Sequence, residues 1–175
     1  MFRTALAFAL ALALPVAAAA QDPLSRALSQ QWDGAKGNLV ASADQMPEAD
    51  YGFKPVDSVR SFGAILSHVA GANYVFCAPA LGTKAPYAED HFEKTAKSKP
   101  EIVKALRESM AYCDKAFAAL TDRSAGEMVP AAFGSGQTSR ASALLGNVGH
   151  LQEHYGNLVT YFRVKGLVPP SSRPQ

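Results

Sequence analysis

Residues 144–163, LLGNVGHLQEHYGNLVTYFR, decide the fold. Leu144, Val148, Leu151, Tyr155, Leu158 and Phe162 recur at steps of four and three, the period of a helix with one face in a core. Beside them runs a polar stripe of Asn147, His150, His154, Asn157 and Tyr161, turned roughly 110° round the helix from the apolar one. That places the stripe at the margin of a core, where a polar pocket can open. Two imidazoles four residues apart on one helix can reach a single metal ion.

Three further stretches carry the helical period. Leu24, Leu28, Trp32, Ala35, Leu39, Ala43 and Met46 form an apolar face that Pro47 ends. Tyr51-Gly52-Phe53-Lys54-Pro55 is an extended or turn connection, since proline biases its predecessor away from helix. A second helix is expected to open at Asp57 or Ser58, either a good N-cap, and to stop at Pro79. It turns Phe62, Ile65, Val69, Ala72 and Phe76 inward. His68 lies beside that face among Ala64, Gly71 and Ala72, whose small size predicts room above the imidazole for a metal and a ligand. A third helix starts at Lys99-Pro100-Glu101 and carries Val103, Leu106, Met110, Cys113, Phe117 and Leu120. Residues 122–137 read as loop; Thr138 or Ser139 caps the last helix, which ends at Gly166. No strand signal competes. The expected fold class is all-α, a four-helix bundle over residues 21–170, with 171–175 as a disordered tail and Val168 to Arg173 loosely ordered.

The cysteines and one long connection bear on topology. Leu81 to Ser98 has no sustained period and is long for a link between adjacent antiparallel helices. A crossover along the length of a bundle would need such a segment. Cys113 lies roughly 20 Å into the third helix, while Cys77 is near the end of the second. Those thiols can meet only if the two helices are parallel, which predicts an up-down-down-up order. His91, within the crossover, reads as a solvated residue.

The N-terminus predicts export. Met1-Phe2-Arg3 is a short basic start, Thr4 to Ala20 is almost wholly apolar, and Ala18-Ala19-Ala20 precedes Gln21-Asp22-Pro23. This is the pattern of a signal peptide spanning 1–20, with an uncleaved anchor as the alternative. The expected location is periplasmic or secreted, where a Cys77–Cys113 disulfide persists; two buried free thiols are the other reading. The formal net charge of +2 includes Arg3. Such balance gives no reason to expect nucleic acid or an anionic membrane as partner, and no second long apolar run predicts membrane insertion after cleavage.

The histidines carry the chemistry. His68 in mid-helix can face His150 and His154 across a bundle. Three neutral imidazoles around one divalent ion leave a fourth position for water or substrate. Zinc is the expected ion, with nickel the alternative. His150-Leu151-Gln152-Glu153-His154 also fits the His-x-x-Glu-His peptidase pattern, but no Asp or Glu follows Glu153 to complete the ligand set. Glu153 points away from the histidine stripe and reads as solvated. Asn147, Asn157 and Tyr161 are candidates to support the ligands or face a substrate. Histidines that bind nothing are the plainest alternative.

The order and spacing of several fragments resemble the DinB/YfiT-like four-helix bundles, over about residues 24–170. The carriers are Met46-Pro47-Glu48, Tyr51 to Pro55, Arg60-Ser61-Phe62-Gly63, His68, His150-x-x-x-His154-Tyr155-Gly156, Tyr161, Arg163, Gly166 and Pro169-Pro170. The resemblance implies an up-down-down-up bundle whose metal is held by one histidine of the second helix and two of the fourth, matching His68, His150 and His154. It also implies a metal-dependent enzyme of hydrolase or thiol-transferase type acting on a small molecule, often as a homodimer. A non-catalytic exported protein that binds metal or a small ligand is the alternative from another class.

Overall fold

Each of the four apolar stripes forms a long helix. The structure, a computed structural model, describes residues 22–173, so the expected signal peptide lies outside the described residues. Helix α1 spans Pro23–Gln45 and α2 spans Phe62–Ala80. The crossover contains a short helix, α3, at His91–Thr95. Helix α4 covers Lys99–Ala119, and α5 covers Arg140–Val164. Helix α2 packs against α4 and α5, and α1 packs against the same two helices.

The stripes meet in one core. Leu144, Val148, Leu151, Leu158 and Phe162 of α5 are buried with Trp32 and Leu39 of α1, Phe62 and Val69 of α2, and Leu106 and Phe117 of α4. Removing each such side chain from water stabilises the fold by about 1.5–3 kcal/mol before the entropy of ordering is set against it. Trp32 stacks on Phe117 with ring centroids 4.6 Å apart, and its Nε1–H donates to Asp114 at 2.7 Å.

Pairwise contacts give the helices' relative sense. Along α2 and α4 the numbers rise together: the Asn73 amide donates to Ser109 Oγ, and Cys77 is bonded to Cys113 with Cα atoms 5.4 Å apart. Along α2 and α5 they run opposite, from Tyr161 beside Arg60 to Gly146 beside Phe76. Between α1 and α4 they also run opposite, from Ser25 bonded to Asp122 to Asp44 paired with Arg107.

Four sequence expectations need correction. Helix α2 opens at Phe62, later than Asp57 or Ser58, because Ser61 caps it by accepting from the Ala64 N–H, and Phe53 and Tyr51 carbonyls take the Phe62 and Gly63 N–H groups. The crossover is not featureless, since it holds α3. The fold is mostly helical rather than all-α: strands β1, Met128–Pro130, and β2, Gln137–Ser139, form an antiparallel hairpin within the expected loop. Glycines at 134 and 136, with φ of +76° and +125°, close its turn in a region other residues rarely occupy. The segment from Val168 to Arg173 is tied down: Pro170–Ser172 form a 3-10 turn, and the Tyr155 hydroxyl donates to Ser171 Oγ at 2.8 Å and accepts from its N–H at 2.9 Å. Gln45 also donates to the Val168 carbonyl.

Candidate metal centre

The opposed run of α2 and α5 sets His68 across from His150 and His154. Phe62, Ile65 and Val69 fix the rotation of α2, and Leu151 and Leu158 fix that of α5, because all are buried in the core. The histidines consequently emerge at the edge of the seam. His68 and His154 are buried, and His150 is half-buried.

The three Nε2 atoms converge. His150 Nε2 lies 3.1 Å from His68 Nε2 and 3.0 Å from His154 Nε2. One donor nitrogen from each ring lies within 4.8 Å of the others, the only such grouping of three ligand-type side chains among the described residues. An imidazole Nε2 has a single in-plane site, occupied by either a proton or a lone pair. His150 can therefore make one good hydrogen bond there, not two. A cation between the rings would be met by all three lone pairs, so this donor set fits a divalent ion.

Electrostatics keep the rings in the ligating form. Burial pushes His150 down to about 3, and the neighbouring His154 and His68 add to the shift. Burial likewise lowers His154 to about 4, with His68 adding and Glu153 and Glu93 opposing. His68 is lowered by burial and then by the Arg60 charge, against the pull of Glu89 and Glu93. Neutral imidazoles offer lone pairs at neutral pH.

An open groove of about 530 Å³ adjoins His154, with Ser58, Arg60, Glu153, Asn157 and Tyr161 on its walls. Its size suits a small molecule. Asn157 and Tyr161 thus share the groove wall with His154. The Tyr161 hydroxyl donates to the Arg60 carbonyl at 2.6 Å, which holds the turn before α2 against α5. Glu153 is exposed and shares the groove wall.

Asn147 does not join them. It is fully buried one turn away, and its amide approaches Cys77 Sγ at 3.3 Å and Cys113 Sγ at 3.5 Å. The stripe continues past the histidines into the disulfide region, so a shared helix face did not mean a shared site. Nor is the space above Gly71 free for a ligand: a Cβ there would overlap the Glu89 carbonyl oxygen. The crossover backbone fills it. His91 is not solvated as expected but half-buried, stacked on Tyr87 with centroids 4.6 Å apart.

Sequence reasoning gave Arg60, Glu89 and Glu93 no place at the site. Glu93 Oε1 and Glu89 Oε1 lie 3.4 and 3.5 Å from His68 Nδ1, and Arg60 Nε donates to Glu93 Oε2 at 3.0 Å. In the sequence these acids sit in an aperiodic charged stretch indistinguishable from a solvated loop.

The profile of the DinB superfamily matches residues 31–158. Two solved DinB-like proteins share the fold: one from Bacillus cereus ATCC 10987 with a TM-score of 0.65 at 15% identity, covering 83% of this chain and 95% of that one, and one from Bacillus subtilis with a TM-score of 0.65 at 16% identity, covering 85% and 99%. A mycothiol-dependent maleylpyruvate isomerase is also similar, with a TM-score of 0.63 at 14% identity, over 78% of this chain and 60% of that one. No curated protein matches in sequence. The chain belongs to the DinB superfamily.

Proposed function

We propose that this DinB-superfamily chain is an exported metal-dependent enzyme whose divalent ion, zinc or alternatively nickel, is held by His68, His150 and His154. The observation that carries the reading is the convergence of three neutral Nε2 atoms in a space where their hydrogen bonds cannot all be satisfied. When bound, such an ion supplies Lewis-acid activation of a carbonyl, a water or a thiol.

The chain's own residues do the rest. The groove beside His154 admits a small molecule to that edge of the trio. Asn157 and Ser58 present hydrogen-bonding groups to it, and Arg60 offers a fixed positive charge. Tyr161 orients the Arg60 turn, since its proton is already donated to a backbone carbonyl. The reaction class is hydrolysis or thiol transfer; the thiol alternative is supported by the similar fold of a mycothiol-dependent isomerase. Export rests on the signal-peptide pattern and is supported by the buried disulfide. The pairwise helix senses support an up-down-down-up order for α1, α2, α4 and α5. A homodimer without nucleic-acid or membrane partners completes the reading. Among the described residues no helix is long and apolar enough to cross a membrane.

The test is metal content in the mature chain purified without a His-tag or chelator, beside His150→Ala/His154→Ala. About one ion per chain, absent from the variant, is expected. Thioester, amide and thiol-transfer substrates would then be screened. A wild type that takes up no divalent ion would sink the reading; bound metal without turnover would leave a binding protein.

A further inference from the structure

Of the three histidines, only His68 has a carboxylate of a described residue near its rear nitrogen. The Nδ1 atoms of His150 and His154 are buried and form no hydrogen bond with any described residue. His68 Nδ1 is buried too, yet Glu93 Oε1 and Glu89 Oε1 stand 3.4 and 3.5 Å away, inside ion-pair range though outside hydrogen-bond geometry. Both acids come from the crossover, whose backbone reaches α2 because Gly71 has no side chain to block the Glu89 carbonyl.

Glu93 is the better held of the two. Arg60 grips its carboxylate through Nε at 3.0 Å and Nη2 at 3.5 Å, while Lys97 Nζ donates to its backbone carbonyl at 2.9 Å. Its side chain is 23% exposed, against 41% for Glu89. A carboxylate fixed at this end of an imidazole selects the tautomer with the proton on Nδ1. It also makes the opposite nitrogen a better ligand.

We infer that Glu93 is a positioning residue for the metal centre: clamped by Arg60, it accepts the Nδ1 proton of His68 and aims the Nε2 lone pair at the point the three rings share. The inference rests on the proposed metal site, but its geometry is testable without metal.

The experiment has two readouts. In the metal-free mature protein, ¹⁵N NMR of the imidazoles should show His68 as the Nδ1–H tautomer, with a mixture appearing in Glu93→Ala. In zinc competition against a chromophoric chelator, Glu93→Ala should weaken binding about 10- to 100-fold. Glu93→Gln, which keeps an acceptor oxygen, should lose less, and Glu89→Ala less than about threefold. Thermal melts of the metal-free variants would show that each is folded. An Nε2–H tautomer in the wild type, or wild-type zinc affinity in folded Glu93→Ala, would overturn the inference. A wild type that binds neither zinc nor nickel would instead overturn the metal site, leaving the tautomer to decide the His68–Glu93 contact.

Discussion

Helix α2 has polar groups on two seams, and only one of the seams is closed by a covalent bond. Toward α4, Cys77 is covalently closed onto Cys113, the Asn73 amide donates to Ser109, and Asn147 of α5 caps the sulfur pair. Toward α5, three imidazoles crowd their Nε2 atoms to 3.0–3.1 Å, and the rear nitrogens of His150 and His154 find no hydrogen-bonding partner among the described residues. Buried polar atoms in that state destabilise a fold by about 1–3 kcal/mol each. The first seam has unpaired buried oxygens too, Asn73 Oδ1 and Asn147 Oδ1, but a covalent bond offsets them. The second gives up stability, which is what a site reserved for a ligand looks like.

That contrast can be broken experimentally. The largest effect should come from opening the α4 seam. The disulfide spans a sequence separation of 36, and loop entropy assigns a closure of that length about 4 kcal/mol. Cys77→Ala/Cys113→Ala should lose about that much in urea unfolding, while zinc affinity moves less than about threefold, since neither sulfur touches the histidines. A matching loss of zinc affinity would mean that the seams are coupled.

Acid should act on the other seam. His150 and His154 are held near 3 and 4 in the folded chain, below an unfolded value of 6.5. The unfolded chain therefore binds more protons between those limits, so stability is full above pH 6.5 and is lost as pH falls toward the folded values. For the metal-free protein this amounts to about 2–4 kcal/mol by pH 5. Urea midpoints at pH 7.5 and pH 5 would measure it, and His150→Ala/His154→Ala should remove most of the slope. An unchanged slope would place the titrating groups elsewhere.

The smallest expected effect sharpens the boundary between the seams. Asn147→Leu removes the amide together with a buried Oδ1 that forms no hydrogen bond with any described residue, so stability should stay within about 1 kcal/mol of wild type. Zinc affinity should not move. Weakened zinc binding would return Asn147 to the histidine site.

The long helices were legible because Leu151, Leu158, Val69 and Leu106 recur at a period that only a one-faced helix explains. His68, His150 and His154 were legible for the same reason, since spacing fixes depth along each helix. Asn147 was misread because periodicity gives a face but not the neighbour that face meets, and here the neighbours are the two sulfurs. The hairpin at 128–139 and helix α3 were invisible because each is too short to show a period. Glu93 could be recognised only after the crossover had folded back over Gly71.

X-ray absorption at the metal edge of the untagged chain tests most directly whether the α5 seam is a three-histidine metal site. One zinc per chain, with three imidazole nitrogens at about 2.0–2.1 Å, is expected. An ion bound through fewer than three imidazoles, or neither zinc nor nickel bound at all, would contradict it.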